Sequence, residues 1–248
     1  MKELSRSSRI ITAIFGVLTL IPLLFMLWNL IAVGFNLTSG IALAIPLIWL
    51  LIAVVVFAEK KKLFFTIGLA VWLISIPLMG CILFLMTFGP YIHSTSPWKY
   101  NIQRSYIVVS CQGTTPDFPA HLPKDIRNYE FDFAPHIMQG AGHCSARFET
   151  SDDTIKEYES EYAPRAIYTL PISDFKDHHS TNVDKVSDKA ETWSDTDKSL
   201  KVWMDEDFWN DTEATVYVLS ATHNWNHPHS SAVIISSDHK KVQFTQLG

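Results

Sequence analysis

The sequence predicts a membrane protein: three transmembrane α-helices followed by an extracytoplasmic α+β domain with an antiparallel sheet. Three observations lead there. The first ninety residues hold three long runs without charge, the composition turns polar after Pro90, and the closing segments are short runs rich in β-branched and aromatic residues between turn signals.

The runs are residues 10–34, 41–58 and 63–88. A helix rising about 1.5 Å per residue needs roughly 20 apolar residues to cross about 30 Å of hydrocarbon, so each run is long enough to span. A cleavable signal peptide would carry an apolar core of only about 7 to 15 residues. Buried helices of a water-soluble protein would be apolar on one stripe rather than all round. Pro22, Pro46 and Pro77 fall inside the runs. In lipid, neighbouring helices satisfy the carbonyls that proline frees, so kinks are expected there and not chain breaks.

Orientation follows from the basic residues, because Lys and Arg in short loops resist translocation. Lys2, Arg6 and Arg9 precede the first run and Lys60, Lys61 and Lys62 fill the turn before the third, whereas the connector FNLTSG carries no charge. The expectation is a multi-pass protein of the cell membrane with a cytoplasmic tail at 1–9, a three-helix membrane region at 10–89 and an extracytoplasmic domain at 90–248. Through residue 62 there are six basic and two acidic side chains, net +4, which leaves −9 for residues 63–248 of a chain whose total is −5. An acidic outer domain argues against binding nucleic acid. The runs contain no Asp, Glu, Lys, Arg or His, which argues against a transporter or pump acting alone. Gly16, Gly68 and Gly80 allow close helix contact without forming a sustained small-residue face. The expected partners are the lipid bilayer and either a membrane protein or an envelope ligand.

In the outer part, SYIVVSC (105–111), YEFDFA (129–134) and the alternating HCSARFE (143–149) read as strands. Ser151 with Asp152 and Asp153 then makes a helix start, and Ile155, Tyr158 and Tyr162 recur at helical spacing up to Pro164. AIYTLP (166–171) reads as a strand, residues 173–199 as a long polar loop with short helical pieces, and KVWMDEDFW (201–209) as a short amphipathic segment anchored by its aromatic rings. ATVYVLSAT (214–222), SAVIISS (231–237) and KVQFTQL (241–247) read as an antiparallel meander whose last turn is at Asp238-His239.

Cys81 lies in the third run. Cys111 and Cys144 lie in expected strands, where they are either bridged, with a gain of roughly 3 to 4 kcal/mol on the chain-entropy model, or two buried thiols.

The segment THNWNHPHSS (222–231) sets His223, His227 and His229 close together. On an extended strand at about 3.3 Å per residue, positions 223 and 229 stand roughly 20 Å apart, so only His227 and His229 could chelate one ion without an intervening turn. Pro228 and the asparagines favour a hairpin connection instead. The preferred reading makes His223, Trp225, Asn226, His227 and His229 a structural or ligand-facing turn that binds no cofactor. The rival makes His227 and His229 zinc ligands. No HExxH pattern, GxSxG elbow or Walker loop occurs.

The order FPAHLPKDI (118–126), FAPHIMQG (133–140), NWNHPHSSAVII (224–235) and a closing VQFTQLG resembles the outer domain of an uncharacterised family of small bacterial membrane proteins with no assigned activity. The resemblance covers about the last 130 residues and implies a bacterial origin. It brings no catalytic residues. The expected function is a membrane-anchored cell-envelope protein whose outer domain is a binding or interaction module rather than an enzyme. A metal-dependent envelope hydrolase using the His227/His229 turn is the alternative.

Overall fold

A computed structural model describes residues 3–35, 37–86, 90–110, 115, 117–135, 142–177, 181–182, 193–194, 204, 206–224 and 227–247. The chain forms two compact units, residues 1–87 and 88–248.

The first unit consists of α1 (Arg6–Val33), α2 (Leu37–Glu59) and α3 (Lys62–Met86). All three are long and apolar enough to cross a membrane. Each runs on through its proline, as expected for Pro22, Pro46 and Pro77. The helix α1 starts earlier than the charge-free run because the Ser5 hydroxyl accepts from the Ser8 amide at 3.2 Å and caps it. It ends at Gly34, whose φ of +97° is open to glycine without a Cβ penalty.

Most of the apolar side chains on these helices are exposed, among them Val17, Leu24, Leu51 and Ile74. The inward faces are aromatic. Trp49, Trp72 and Met79 are buried together, and Phe15 stacks on Trp72 with centroids 4.0 Å apart. Polar groups are few, and most are bonded across helices or back to the backbone, the buried Trp72 indole N–H being the exception among the described residues. Ser39 donates to the Asn29 side-chain oxygen at 3.1 Å, the Trp49 indole donates to Ser75, and Thr12 and Thr19 donate to carbonyls one turn earlier. This is the arrangement required where water cannot satisfy a donor. At the basic end the Leu4 amide donates to the Lys60 carbonyl at 2.7 Å, and Glu3 and Lys61 form an antiparallel bridge. The segment before α1 and the lysine turn therefore share one end of the bundle.

The second unit contains β1 (Ile92–Ser94), α4 (Tyr100–Ser110), β2 (Arg127–Ala134), β3 (His143–Glu149), α5 (Asp152–Tyr162), β4 (Tyr168–Pro171), α6 (Ile172–Asp177), β5 (Thr181–Asn182), β6 (Trp193–Ser194), α7 (Glu206–Trp209), β7 (Thr215–Asn224), β8 (His227–Ser236) and β9 (Lys241–Leu247). Seven strands form one antiparallel sheet in the order β1-β2-β3-β9-β8-β7-β4, and β5 pairs with β6 separately. The expected meander β7-β8-β9 is present. The helix α5 buries Ile155, Tyr158 and Tyr162, the three positions its spacing singles out.

One expectation is overturned. Residues 105–110 of SYIVVSC are the second half of α4 and not a strand, and Cys111 lies outside the described residues. Its β-branched residues favour extended backbone locally, but Tyr100, Gln103, Tyr106 and Ile107 are buried at helical spacing, and packing of that stripe outweighs propensity. Val108 and Val109 are left exposed.

The strands present two faces, and each face has its own core. On one lie Tyr129, Phe131, Phe133, Ala146, Phe148, Val242 and Phe244, covered by α4, α5 and Phe118. Phe244 is its centre, with the rings of Phe118, Phe148, Tyr158 and Tyr162 all within 6.0 Å of its centroid. Burying one such side chain is worth about 1.5 to 3 kcal/mol. The other face is apolar over β7 and β8, where Val216, Val218, Ala232 and Ile234 pack with Phe175 and Phe208 from α6 and α7. Over β1, β2 and β3 that same face is charged.

In the helical unit, a Cβ placed on Gly68 would come within 2.6 Å of the Ile52 methyl, whereas one on Gly80 meets nothing within 4 Å. Gly68→Ala is therefore expected to destabilise the full-length protein in detergent by about 1 to 3 kcal/mol through overpacking, and Gly80→Ala to leave the thermal midpoint unchanged. Equal midpoints for the two variants would contradict the packing of α2 on α3.

Candidate functional site

The charged end of the sheet is assembled by register. His93 pairs with Asp132, and Glu130, two residues earlier on β2, stands on the same face and pairs with Arg147 of β3. His93 Nδ1 lies 2.8 Å from Asp132 Oδ1 and 3.5 Å from Glu130 Oε1. The Tyr91 hydroxyl donates to Asp132 Oδ1 at 2.9 Å. Arg147 holds the other oxygen of Glu130, its Nε donating to Oε2 at 2.8 Å with Nη2 on the same oxygen. One ligand atom from each of His93, Glu130 and Asp132 falls within 4.8 Å of the other two, close enough to share a cation. Both carboxylates are partly buried and His93 is exposed.

Beside this cluster is a pocket of about 260 Å³ lined by Asn128, Glu130, Arg147, Glu149, Asp207 and Lys241 together with Phe148 and Phe208. Lys241, opposite Glu149 in the sheet, reaches Asp207 of α7 at 3.0 Å. That bond holds the Asp207 carboxyl below its ordinary range. The pocket thus carries two ion pairs, Glu130–Arg147 and Asp207–Lys241. Arg147 and Glu130 are partly covered, so their pair is less screened than one standing in water.

On the opposite side of the domain, Arg104 fastens the loop carrying FPAHLPKDI. Its guanidinium donates to the carbonyls of Pro119 at 2.8 Å, Ala120 at 3.2 Å and Thr115 at 3.3 Å. Asp117 is gripped by Arg165 at 2.8 Å and by the Ser231 hydroxyl at 2.6 Å, and Ser231 contacts Ser220 at 2.8 Å.

The histidine-rich segment is strand rather than loop at both ends. The strand β7 runs to Asn224 and β8 starts at His227, with Thr222 opposite His229, His223 opposite Pro228 and Asn224 opposite His227. Positions 227 and 229 share one parity along β8, and position 223 takes the register of the other, so a three-histidine site would need ligands from both faces. His229 is exposed. Trp225 and Asn226 lie outside the described residues, as do the side chains of His223 and His227. Cys144 is buried with a free thiol whose pKa burial raises, and Cys111 lies outside the described residues.

The His93 cluster has no counterpart in the residue spacing of the sequence. His93 is 39 residues from Asp132 and meets the two acids only because β1, three residues long, pairs with β2. The visible trace was the pair Glu130 and Asp132, two acids at the outward positions of YEFDFA.

Near this cluster on β3, His143 is buried, and desolvation lowers its pKa to about 4, against a smaller opposing effect of Asp132. A histidine held neutral in the fold but free to protonate near pH 6.5 when unfolded makes stability fall as pH drops from about 6.5 to about 4. The expected loss is about 3 kcal/mol over that window. His143→Gln should flatten this part of the pH profile of denaturant unfolding, and an unchanged slope in the variant would assign the acid sensitivity elsewhere.

Comparison of the chain with protein-family models, with curated proteins and with solved structures finds no match.

Proposed function

We propose that the chain is a bacterial cell-envelope protein of the cell membrane, with its N-terminus in the cytoplasm, α1–α3 as anchor and the α+β domain outside, where that domain is a binding or interaction module. The ligand is a peptide, an envelope component or a protein partner. The observation that carries this reading is the pocket with its two ion pairs, Glu130–Arg147 and Asp207–Lys241, on the charged part of a sheet face that is core over β7 and β8. Adjacent pairs of this kind suit a ligand bearing both signs of charge, such as a peptide terminus, because each new contact exchanges for one already made. The sidedness rests on the basic residues at one end of the bundle, where Leu4 bonds to Lys60.

Cross-linking with a membrane-impermeant reagent on intact cells tests location and binding together. A partner is expected with the wild-type protein and should be lost with Arg147→Glu/Lys241→Glu, while surface labelling of the variant is kept. Absence of surface labelling sinks the topology, and capture that ignores the charge reversal sinks the pocket.

A second reading moves the metal from the histidine turn to the three donors His93, Glu130 and Asp132, which lie within 4.8 Å of one another. A zinc held there would polarise a bound water for hydrolysis. Arg147 on Glu130 would orient that ligand from outside. On this second reading, elemental analysis of purified protein gives about one zinc per chain, lost in His93→Ala/Asp132→Asn and kept in His229→Ala. Protein free of zinc after purification without chelators rejects it.

A further inference from the structure

At the basic end of the helical unit, a groove of about 470 Å³ opens between α1 and α2, lined by Arg6, Arg9, Ile10, Ala13 and Phe57. Arg6, Arg9 or Ile10, and Ala13 succeed one another at three- and four-residue steps, so they stand one above the next on a single face of α1. Phe57, in the last turn of α2, forms the facing wall. From Arg6 to Ala13 the rise is about 10 Å, so the two guanidinium groups sit in the headgroup layer while Ile10, Ala13 and Phe57 meet the start of the acyl chains. Among the described residues neither arginine has a carboxylate partner. Glu59 is taken by Lys61 at 2.9 Å, and Arg9 Nη2 donates to the Leu4 carbonyl at 3.4 Å, which fixes its direction.

We propose that this groove is a binding site for one anionic phospholipid, with its phosphate held by Arg6 and Arg9 and its acyl chain laid along Ile10, Ala13 and Phe57. The inference rests on α1–α3 being membrane spans. Charge complementarity selects the headgroup, because arginine offers paired N–H donors that match phosphate oxygens. The apolar wall continuing below the guanidinium groups selects a lipid over free phosphate, which would leave that wall uncovered. Basic grooves between helices at a membrane surface recognise anionic headgroups in this way.

The test is native mass spectrometry of the full-length protein released from mixed micelles of phosphatidylglycerol or phosphatidylcholine with identical acyl chains. One retained phosphatidylglycerol per chain is expected, in preference to phosphatidylcholine. Arg6→Gln/Arg9→Gln should lower that adduct roughly tenfold, while Lys60→Gln/Lys62→Gln, which removes the same charge from the same end, should leave it within about twofold. Equal retention of the two lipids, or equal loss in the two variants, overturns the site and leaves only a general attraction of the basic end for anionic surfaces. Displacement of the adduct by millimolar inorganic phosphate overturns the lipid assignment in favour of a phosphate site. Because the protein still requires detergent in each of these outcomes, failure of the lipid site is distinguishable from failure of the membrane reading. A chain that stays soluble without detergent would fail the latter.

Discussion

The constraint from which the architecture follows is that the first third of the chain has no polar face to offer water. Helices that are apolar all round can be solvated only by hydrocarbon, and hydrocarbon in turn forbids an unmet donor. Most polar side chains in α1–α3 follow this rule, with Asn29 bonded to Ser39, Trp49 to Ser75, and two threonines bonded to their own helix, while the buried Trp72 indole N–H departs from it. Close approach at Gly16, whose missing Cβ faces Ala53 at 3.5 Å, and at Gly68 brings α2 against its two neighbours. The charges are confined to the helix ends.

The α+β domain solves a different problem. It must pack two sheet faces at once, which it does unevenly. One face is filled with aromatic rings around Phe244, and the other is apolar only over β7 and β8. The remaining quarter, over β1 to β3, carries His93, Glu130, Asp132 and Arg147, which satisfy one another. Backbone register positions these charged partners, so their arrangement is set by the fold itself.

How much of this could be read from the sequence depends on how local each signal is. The membrane helices were legible because absence of charge over many residues needs no partner. The helix α5 was legible because Ser151, two acids and three spaced apolar residues lie within twelve positions. The strand β3 was legible from alternation, and the meander from short β-branched runs set between turn signals. The helix α4 was misread because Tyr106 to Val109 favour extended backbone, and only the aromatic core formed by β2 makes the helix pay. The site was the least legible part. Three clustered histidines drew notice through sequence proximity, yet the one with a described side chain, His229, stands exposed, whereas His93 meets Asp132 through a pairing that a three-residue strand does not announce.

The position of β9 has a consequence in time. It is the last strand to be synthesised, yet it lies between β3 and β8, in the interior of the sheet, and it contributes Phe244 to the core. The halves β1-β2-β3 and β8-β7-β4 therefore cannot be joined until its residues have emerged. Translation adds about 5 to 20 residues each second, so the earlier strands wait for several seconds with unpaired edges. A chain cut before β9 would thus hold two unjoined half-sheets and not a smaller version of the same sheet.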